Sequence, residues 1–364
     1  MDQTALKIIR RLNEAGYPSY LVGGCVRDLL LGRELHDWDI ATAAAPEVVQ
    51  SLFDTCIPTG LRHGTVTVLQ DGKSFEVTTF RTDGAYTDSR HPDGVSFVRR
   101  PEEDLARRDF TVNAMAMDAR GEILDPFGGR EDLKRGILRC VGDPQTRFCE
   151  DALRMLRALR FRAQLGFTVH RDTMAALTLC APLTETLSAE RVRDELEKTL
   201  LSPRPDTVSD MARAGLLTAV GIREIRVLAQ VPAEPLYRWS ALFQACSEAN
   251  WRILRLDKHT GTVAEAAAKL SRSRDRLGWK RVIAARGLQI ARCAAALCGE
   301  EETVAEIAAS GECTELSALA VSGKDFPDHG AETGAILRRL LCHVLEHPQD
   351  NRREVLLVIA GKTD

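Results

Sequence analysis

Residues 23–40 read GGCVRDLLLGRELHDWDI, and this stretch decides the fold. The apolar run Tyr20 to Val22 before it predicts a strand, and Cys25 to Leu31 predicts a helix closed by Gly32. Gly23 and Gly24 leave room for close backbone approach, and the first amides of that helix have no internal partners. Arg27 stands one turn in as a cation for phosphate oxygens. Asp37 and Asp39 follow; in an extended chain they point to the same face, because side chains alternate. Two converging carboxylates are hard oxygen ligands suited to Mg²⁺, and a pair of such ions roughly 4 Å apart is the usual clamp for in-line phosphoryl chemistry. A glycine turn and an acidic surface strand would explain either half alone. Their succession in one strand-helix-strand unit favours a phosphate cradle followed by a metal site.

This stretch resembles the signature of the polymerase-beta-type nucleotidyltransferases, specifically the class II bacterial tRNA nucleotidyltransferase and poly(A) polymerase family. The resemblance implies an α+β nucleotidyltransferase head of polymerase-beta type with a mixed β-sheet, followed by an all-α C-terminal half. The expected division is a catalytic head over residues 1–141, a helical neck carrying base recognition over 142–203, and a helical body and tail that binds tRNA over 204–364.

The chain as a whole sets bounds. Its 364 residues, 40.2 kDa, allow two or more domains and a substantial core. A net charge of −3 and an isoelectric point near 6.3 exclude a uniformly basic nucleic-acid binder, so RNA contacts must come from local patches. Ten cysteines without a Cys-x-x-Cys pair, and an amphipathic N-terminus MDQTALKIIRRLNEAG, fit a reduced cytoplasmic protein without zinc. No apolar run approaches the roughly 20 residues that span a bilayer, so no membrane is expected. Nothing identifies a protein partner.

Within the head, Leu6, Ile9 and Leu12 share a helical face that ends at Gly16, and Pro46 opens a helix with Val48, Val49, Leu52 and Phe53 as its stripe. HGTVTVLQ (63–70) and FEVTTFR (75–81) alternate around an Asp71-Gly72 turn, which predicts a hairpin. Glu76 is either a third carboxylate for the metal site or a solvated strand residue. Residues 81–96, RTDGAYTDSRHPDGVS, predict a mobile loop, and the resemblance implies that it helps the active site change shape between nucleotides. In Arg107-Arg108-Asp109-Phe110-Thr111-Val112-Asn113-Ala114, Arg108 offers a fork for phosphate or sugar oxygens, while Asp109 and Asn113 suit ribose hydroxyls. The resemblance implies that Arg108 contacts the nucleotide. A hairpin around Arg120-Gly121 follows, then a helix through Lys134, and the sheet is expected to end near Val141.

Residues 146–167, TRFCEDALRMLRALRFRAQLGF, predict one helix with Leu153, Leu156 and Leu159 buried and Asp151, Arg154, Arg157 and Arg160 in a slowly rotating row. A solvated face with an Asp151–Arg154 ion pair is the plain account. Base recognition is the sharper one. Cytosine and adenine both present an amino donor beside a ring-nitrogen acceptor, so a carboxylate next to a guanidinium can pair with either. Uracil and guanine place an oxygen there, leaving a buried polar group unpaired at about 1–3 kcal/mol per lost bond. In the family this sequence resembles, the Glu-Asp-x-x-Arg stretch does that job; here it is residues 150–154, and Arg157 and Arg160 match further nucleotide contacts.

Beyond Val169 helical patterns recur, as in AERVRDELEKTLL (189–201), and no strands stand out. Residues 269–286, KLSRSRDRLGWKRVIAAR, are basic and contain Trp279, a candidate surface for an RNA backbone. Residues 319–351 resemble the tail of the family.

The expected function is addition of CCA to the tRNA 3′ end from CTP and ATP without a nucleic-acid template. Asp37 and Asp39 hold Mg²⁺; Gly24, Arg27, Arg108 and Asp109 seat triphosphate and sugar; Asp151 and Arg154 select the base. A poly(A) polymerase or a partial CC- or A-adding enzyme shares this core, but the loop at 81–96 and the HGTVTV strand resemble the CCA-adding branch more. A His-Asp phosphohydrolase built on His36-Asp37 would leave Asp39 and the glycines unexplained. A non-catalytic RNA-binding module would have no use for intact aspartates.

Overall fold

The computed structural model describes residues 2–35, 37–84, 94–327 and 332–361. His36, the middle of the loop at 81–96 and part of the tail thus lie outside the described residues. The chain divides into two compact units, Met1–Thr199 with Asp210–Ala219, and Leu200–Ser209 with Val220–Asp364.

The first unit opens with α1 (Gln3–Glu14), whose Thr4 and Ala5 amides donate to the Asp2 side chain at its start. Then come β1 (Ser19–Val22), α2 (Gly24–Leu30), β2 (Asp39–Thr42), α3 (Pro46–Leu52), β3 (Cys56–Gly60), β4 (Thr65–Gln70) and β5 (Lys73–Thr79). A short antiparallel ribbon, β6 (Arg81–Asp83) with β7 (Val95–Phe97), flanks residues 85–93. So the ends of the loop expected at 81–96 are paired strand. Next are α4 (Pro101–Ala106), β8 (Ala116–Met117) and β9 (Ile123–Leu124). Seven strands form one sheet in the order β3-β4-β5-β2-β1-β8-β9, with β2 and β5 parallel and the other neighbours antiparallel. This is the mixed sheet that the sequence leads one to expect.

Register explains where the catalytic face lies. Leu21, Ile40, Val77 and Val66 are neighbours across four strands, all at most 1% exposed, on the face where α1 and α3 pack. Each contributes about 1.5–3 kcal/mol by leaving water. One residue along, Asp39, Glu76 and Thr67 are neighbours too, and alternation puts them on the opposite face, where Glu76 is exposed.

Several expectations need correction. β3 was not foreseen; its pairing with β4 shifts register between Ile57 and Gly60, which weakens its periodic pattern. The hairpin turn forms at Asp71-Gly72, as expected. Asp71 and Gly72 both take positive φ, 52° and 73°, and this two-residue turn matches the strand twist, so Lys73 and Ser74 pair as strand. The large sheet ends at Leu124. After α5 (Gly129–Arg135), β10 (Ile137–Leu138) pairs in parallel with β11 (Thr168–Val169), a separate two-stranded sheet.

The single helix expected over 146–167 is two, α6 (Pro144–Glu150) and α7 (Leu153–Leu165). Asp151 between them is extended, φ −145° and ψ 104°, and its Oδ1 accepts the Leu153 amide. A short carboxylate competing for nearby amides is what stops a helix here. The unit is completed by α8 (Arg171–Cys180), α9 (Ala189–Leu200) and part of α10 (Thr207–Arg213).

The second unit is helical: α11 (Pro235–Ala245), α12 (Lys258–Leu270), α13 (Arg276–Arg286), α14 (Leu288–Ala296), α15 (Glu301–Ala309), α16 (Thr333–Glu346) and α17 (Arg353–Gly361). Leu340, Leu341, Val344 and Leu345 of α16 gather Val321, Phe326 and Leu356 into one core. Trp279 is a correction here. It is fully buried and its Nε1 donates to Glu300, while Lys280 is buried against Glu312. The stretch at 269–286 therefore offers no aromatic platform to RNA. All ten cysteines are free thiols, and among the described residues no helix is long and apolar enough to cross a membrane.

Candidate functional site: an arginine-lined cleft beside two aspartates

The turn from β1 into α2 needs glycine at its first position. Gly23 has φ +75°, and a Cβ there would lie 2.8 Å from Arg108 Nη1 and 3.7 Å from Asp39 Oδ2. The guanidinium of Arg108 thus lies against the backbone beside the aspartate. Its Nη2 donates to Asp104 at 3.1 Å, and among the described residues its buried Nε has no hydrogen-bond partner. Asp104 also takes Arg107 at 2.8 Å. Burial would raise that carboxyl, but the two guanidinium charges outweigh it and hold it below the usual range.

Asp39 opens β2, whereas exposed Asp37 precedes the strand, so the pair is not carried by one strand as the alternation predicts. Burial pushes the Asp39 carboxyl up; Arg108 opposes this, and Glu76 and Asp37 add to it. A buried carboxylate with acidic neighbours is relieved by a cation. The donor set is hard oxygen from two carboxylates, and the described residues contain no group of three metal-binding side chains. That suits Mg²⁺, which binds through one or two carboxylates and completes its shell with water and substrate phosphate.

Arg27, expected to be a phosphate cation, is committed elsewhere. It is buried, grips Asp28 with Nε and Nη2 at 3.0 and 2.6 Å, and donates from Nη1 to Asn113 at 2.7 Å. Asn113 in turn donates to Asp109, which also receives the Phe110 amide and Arg157. Burial alone would raise the Asp109 carboxyl; Arg157 and these hydrogen bonds overcome it and hold the group at about 2. Arg27, Arg157 and Arg160 surround the Phe161 ring, with guanidinium carbons 4.9, 5.3 and 4.0 Å from its centroid.

The arginine row of α6 and α7 is neutralised by acids. Arg147 and Arg154 share Glu150 at 3.0 and 2.6 Å, Arg157 takes Asp109 at 2.7 Å, Arg160 takes Glu195 at 2.5 Å and Arg162 takes Asp210 at 3.0 Å. Asp151 sits in the break between the helices, and its partner is Arg191 of α9, at 2.9 Å.

One cleft of about 620 Å³ collects these groups. Its lining includes all ten residues expected from the sequence: Gly24, Arg27, Asp37, Asp39, Arg108, Asp109, Asp151, Arg154, Arg157 and Arg160. Arg107, Asn113, Phe161 and Arg191 join them, giving seven arginines against four aspartates, a lining that favours a polyanion. Sequence reasoning missed Arg191 and Phe161. An aromatic at helical spacing looks like core, and nothing local ties residue 191 to residue 151.

Residues 19–139 match the family model described as "Poly A polymerase head domain", and residues 166–221 match "Probable RNA and SrmB- binding site of polymerase A". A crystal structure of the Bacillus stearothermophilus CCA-adding enzyme in complex with CTP is 36% identical with a TM-score of 0.86, covering 99% of this chain and 96% of that one. The chain belongs to the CCA-adding enzyme family. Curated CCA-adding enzymes agree. That of Geobacillus thermodenitrificans is 50% identical over 254 residues, 69% of this chain and 62% of the relative. That of Leuconostoc mesenteroides is 49% identical over 238 residues, 65% of this chain and 57% of the relative. The match thus spans about three fifths of the length of these curated CCA-adding enzymes. The Thermotoga maritima CCA-adding enzyme complexed with tRNA_CCA, 19% identical with a TM-score of 0.66 over 99% and 95% of the two chains, shares the fold.

Proposed function

We propose that this protein is a tRNA nucleotidyltransferase that adds C, C and A to the tRNA 3′ end from CTP and ATP, without a template and with release of pyrophosphate. The observation that carries this is the shared cleft, where hard-ligand Asp37 and Asp39 and the base-pairing set Asp151 and Arg154 line the same space. The CTP complex of the 36% identical relative supports it. In this assignment residues 1–141 carry the chemistry, 142–203 the base choice and 204–364 the tRNA contacts.

Asp37 and Asp39 would hold Mg²⁺, which when bound activates the acceptor hydroxyl and neutralises the triphosphate. Arg108, with its buried Nε unpartnered among the described residues and its fork lying over Gly23, seats the phosphates. Asp109 and Asn113 face the ribose hydroxyls, with Arg27 and Arg157 fixing them from behind. Asp151 accepts the amino group of cytosine or adenine, and Arg154, held by Glu150 and the Arg107 carbonyl, donates to the ring nitrogen. Glu76 stands beside Asp39 in register and is a third carboxylate within the same row.

The test is incubation of pure protein with transcribed tRNA ending before CCA and single labelled nucleotides. Three residues added in the order C, C, A are expected; a long A tail would make the protein a poly(A) polymerase. Asp37→Ala and Asp39→Ala are expected to abolish incorporation while tRNA binding survives.

A further inference from the structure

Asp151 is a base reader whose acceptor capacity is almost used up within the protein. A carboxylate has about four lone-pair sites. Arg191 Nη2 donates to Oδ1 at 3.1 Å and to Oδ2 at 2.9 Å, and the Leu153 amide donates to Oδ1 at 3.0 Å. Both sites on Oδ1 and one on Oδ2 are therefore taken, and a single site on Oδ2 is left. Asp151 lies between α6 and α7, its amide donating to the Arg147 carbonyl and its carbonyl accepting the Arg154 amide, so the backbone is held while side-chain contacts set the direction of the carboxylate. Arg191 reaches it from α9, which is anchored in the same unit by Glu195 gripping Arg160 of α7.

We propose that Arg191 is the positioning residue for base choice: by occupying three-centre bonds to Asp151, it aims one acceptor site on Oδ2 at the base and withholds the rest. This rests on the nucleotidyltransferase reading above and deepens it. One acceptor site fits one N–H of an exocyclic amino group, the feature common to cytosine and adenine. A uracil or guanine oxygen would meet that lone pair instead and be repelled. Without Arg191 only the Leu153 amide, among the described residues, holds the carboxylate, through Oδ1; Oδ2 loses its fixed donor, a water can bridge it to a carbonyl oxygen, and discrimination weakens although Asp151 is intact. The contact uses Nη2 alone, so a lysine ammonium can reproduce it; the planar fork is not required.

The experiment measures kcat/KM for CTP, ATP, UTP and GTP on tRNA transcripts lacking the tail, for the wild-type protein, Arg191→Met, Arg191→Lys and Asp151→Asn, with thermal unfolding recorded for each. Arg191→Met is expected to lower the CTP/UTP and ATP/GTP ratios at least tenfold, mainly through gain of the wrong nucleotides, with the KM for tRNA unchanged. Arg191→Lys is expected to keep both ratios within about threefold of wild type, and adding Arg191→Met to Asp151→Asn to cost no further selectivity. Arg193→Met, on the same helix and beside its own partner Asp194, serves as the control. Unchanged ratios in a folded Arg191→Met protein overturn the proposal, as does loss of selectivity in Arg191→Lys equal to that in Arg191→Met. If Arg191→Met does not fold, the lysine variant and Arg191→Gln decide by the same ratios, glutamine being expected to lose them. A wild-type protein that incorporates none of the four nucleotides would sink the enzyme assignment itself, a result distinct from these.

Discussion

Gly23 shows most directly how a single residue holds the site open. Its φ of +75° with ψ −135° lies in a region that glycine almost alone adopts, where another residue is strained by about 1–3 kcal/mol, and a methyl group there would collide with Arg108 at 2.8 Å. Gly23→Ala is expected to raise the KM for CTP and ATP at least tenfold by displacing Arg108, with tRNA affinity, measured by filter binding, unchanged; an unaltered KM would remove Arg108 from the phosphate site. At this scale the sequence was highly informative. The glycines, the two aspartates and the two arginine-rich motifs announce their chemistry through short spacings, and all ten named residues line one cleft. What it hid were the partners. That Arg27 spends its fork on Asp28 and Asn113, 86 residues away, and that Asp151 is held by Arg191, 40 residues on, depends on packing that no spacing encodes.

At the scale of elements, α7 is tied to the head by Arg157 and Asp109. The ordinary Asp value is 3.8 and the folded one is about 2, so ionisation is favoured by folding. The contribution is complete above the ordinary value and is lost as pH falls through the folded one; it is on the order of 2 kcal/mol near neutrality. Asp109→Asn is therefore expected to destabilise the first unit at pH 7, and its gap to wild type in urea melts should narrow by roughly half by pH 3. A gap independent of pH would show that packing, and not the ion pair, is lost. Elements were also where the sequence misled. The leucine and arginine periodicity of residues 146–167 runs through Asp151 unbroken, yet the carboxylate caps Leu153 and divides the helix. The strand at 56–60 was missed because its register shifts. Trp279, taken for a surface aromatic, fills the helical core because its indole N–H still reaches an acceptor, the half-exposed Glu300.

The molecule as a whole carries a net charge of −3, and its cleft arginines are largely matched by acids. On the proposed function, a chain of net negative charge meets tRNA through local patches alone, so few phosphates are neutralised and few counterions released. A plot of log K against log salt is expected to have a slope shallower than about −5, and a slope near −10, as for a strongly basic binder, would contradict that. The division into a sheet-bearing half and a helical half was legible from the disappearance of alternating patterns after Val169, because period-2 and period-3.6 burial leave different traces. The seven-stranded sheet has one further property, set by its margins. At one edge β3 carries Pro58, which has no N–H to offer, and a one-residue register shift; at the other, β9 is only two residues long. Both margins offer few aligned backbone groups to a strand from another copy, which disfavours edge pairing at exposed Ile57. The sheet that carries Asp39 thus ends on both sides in strands too short or too irregular to extend its ladder.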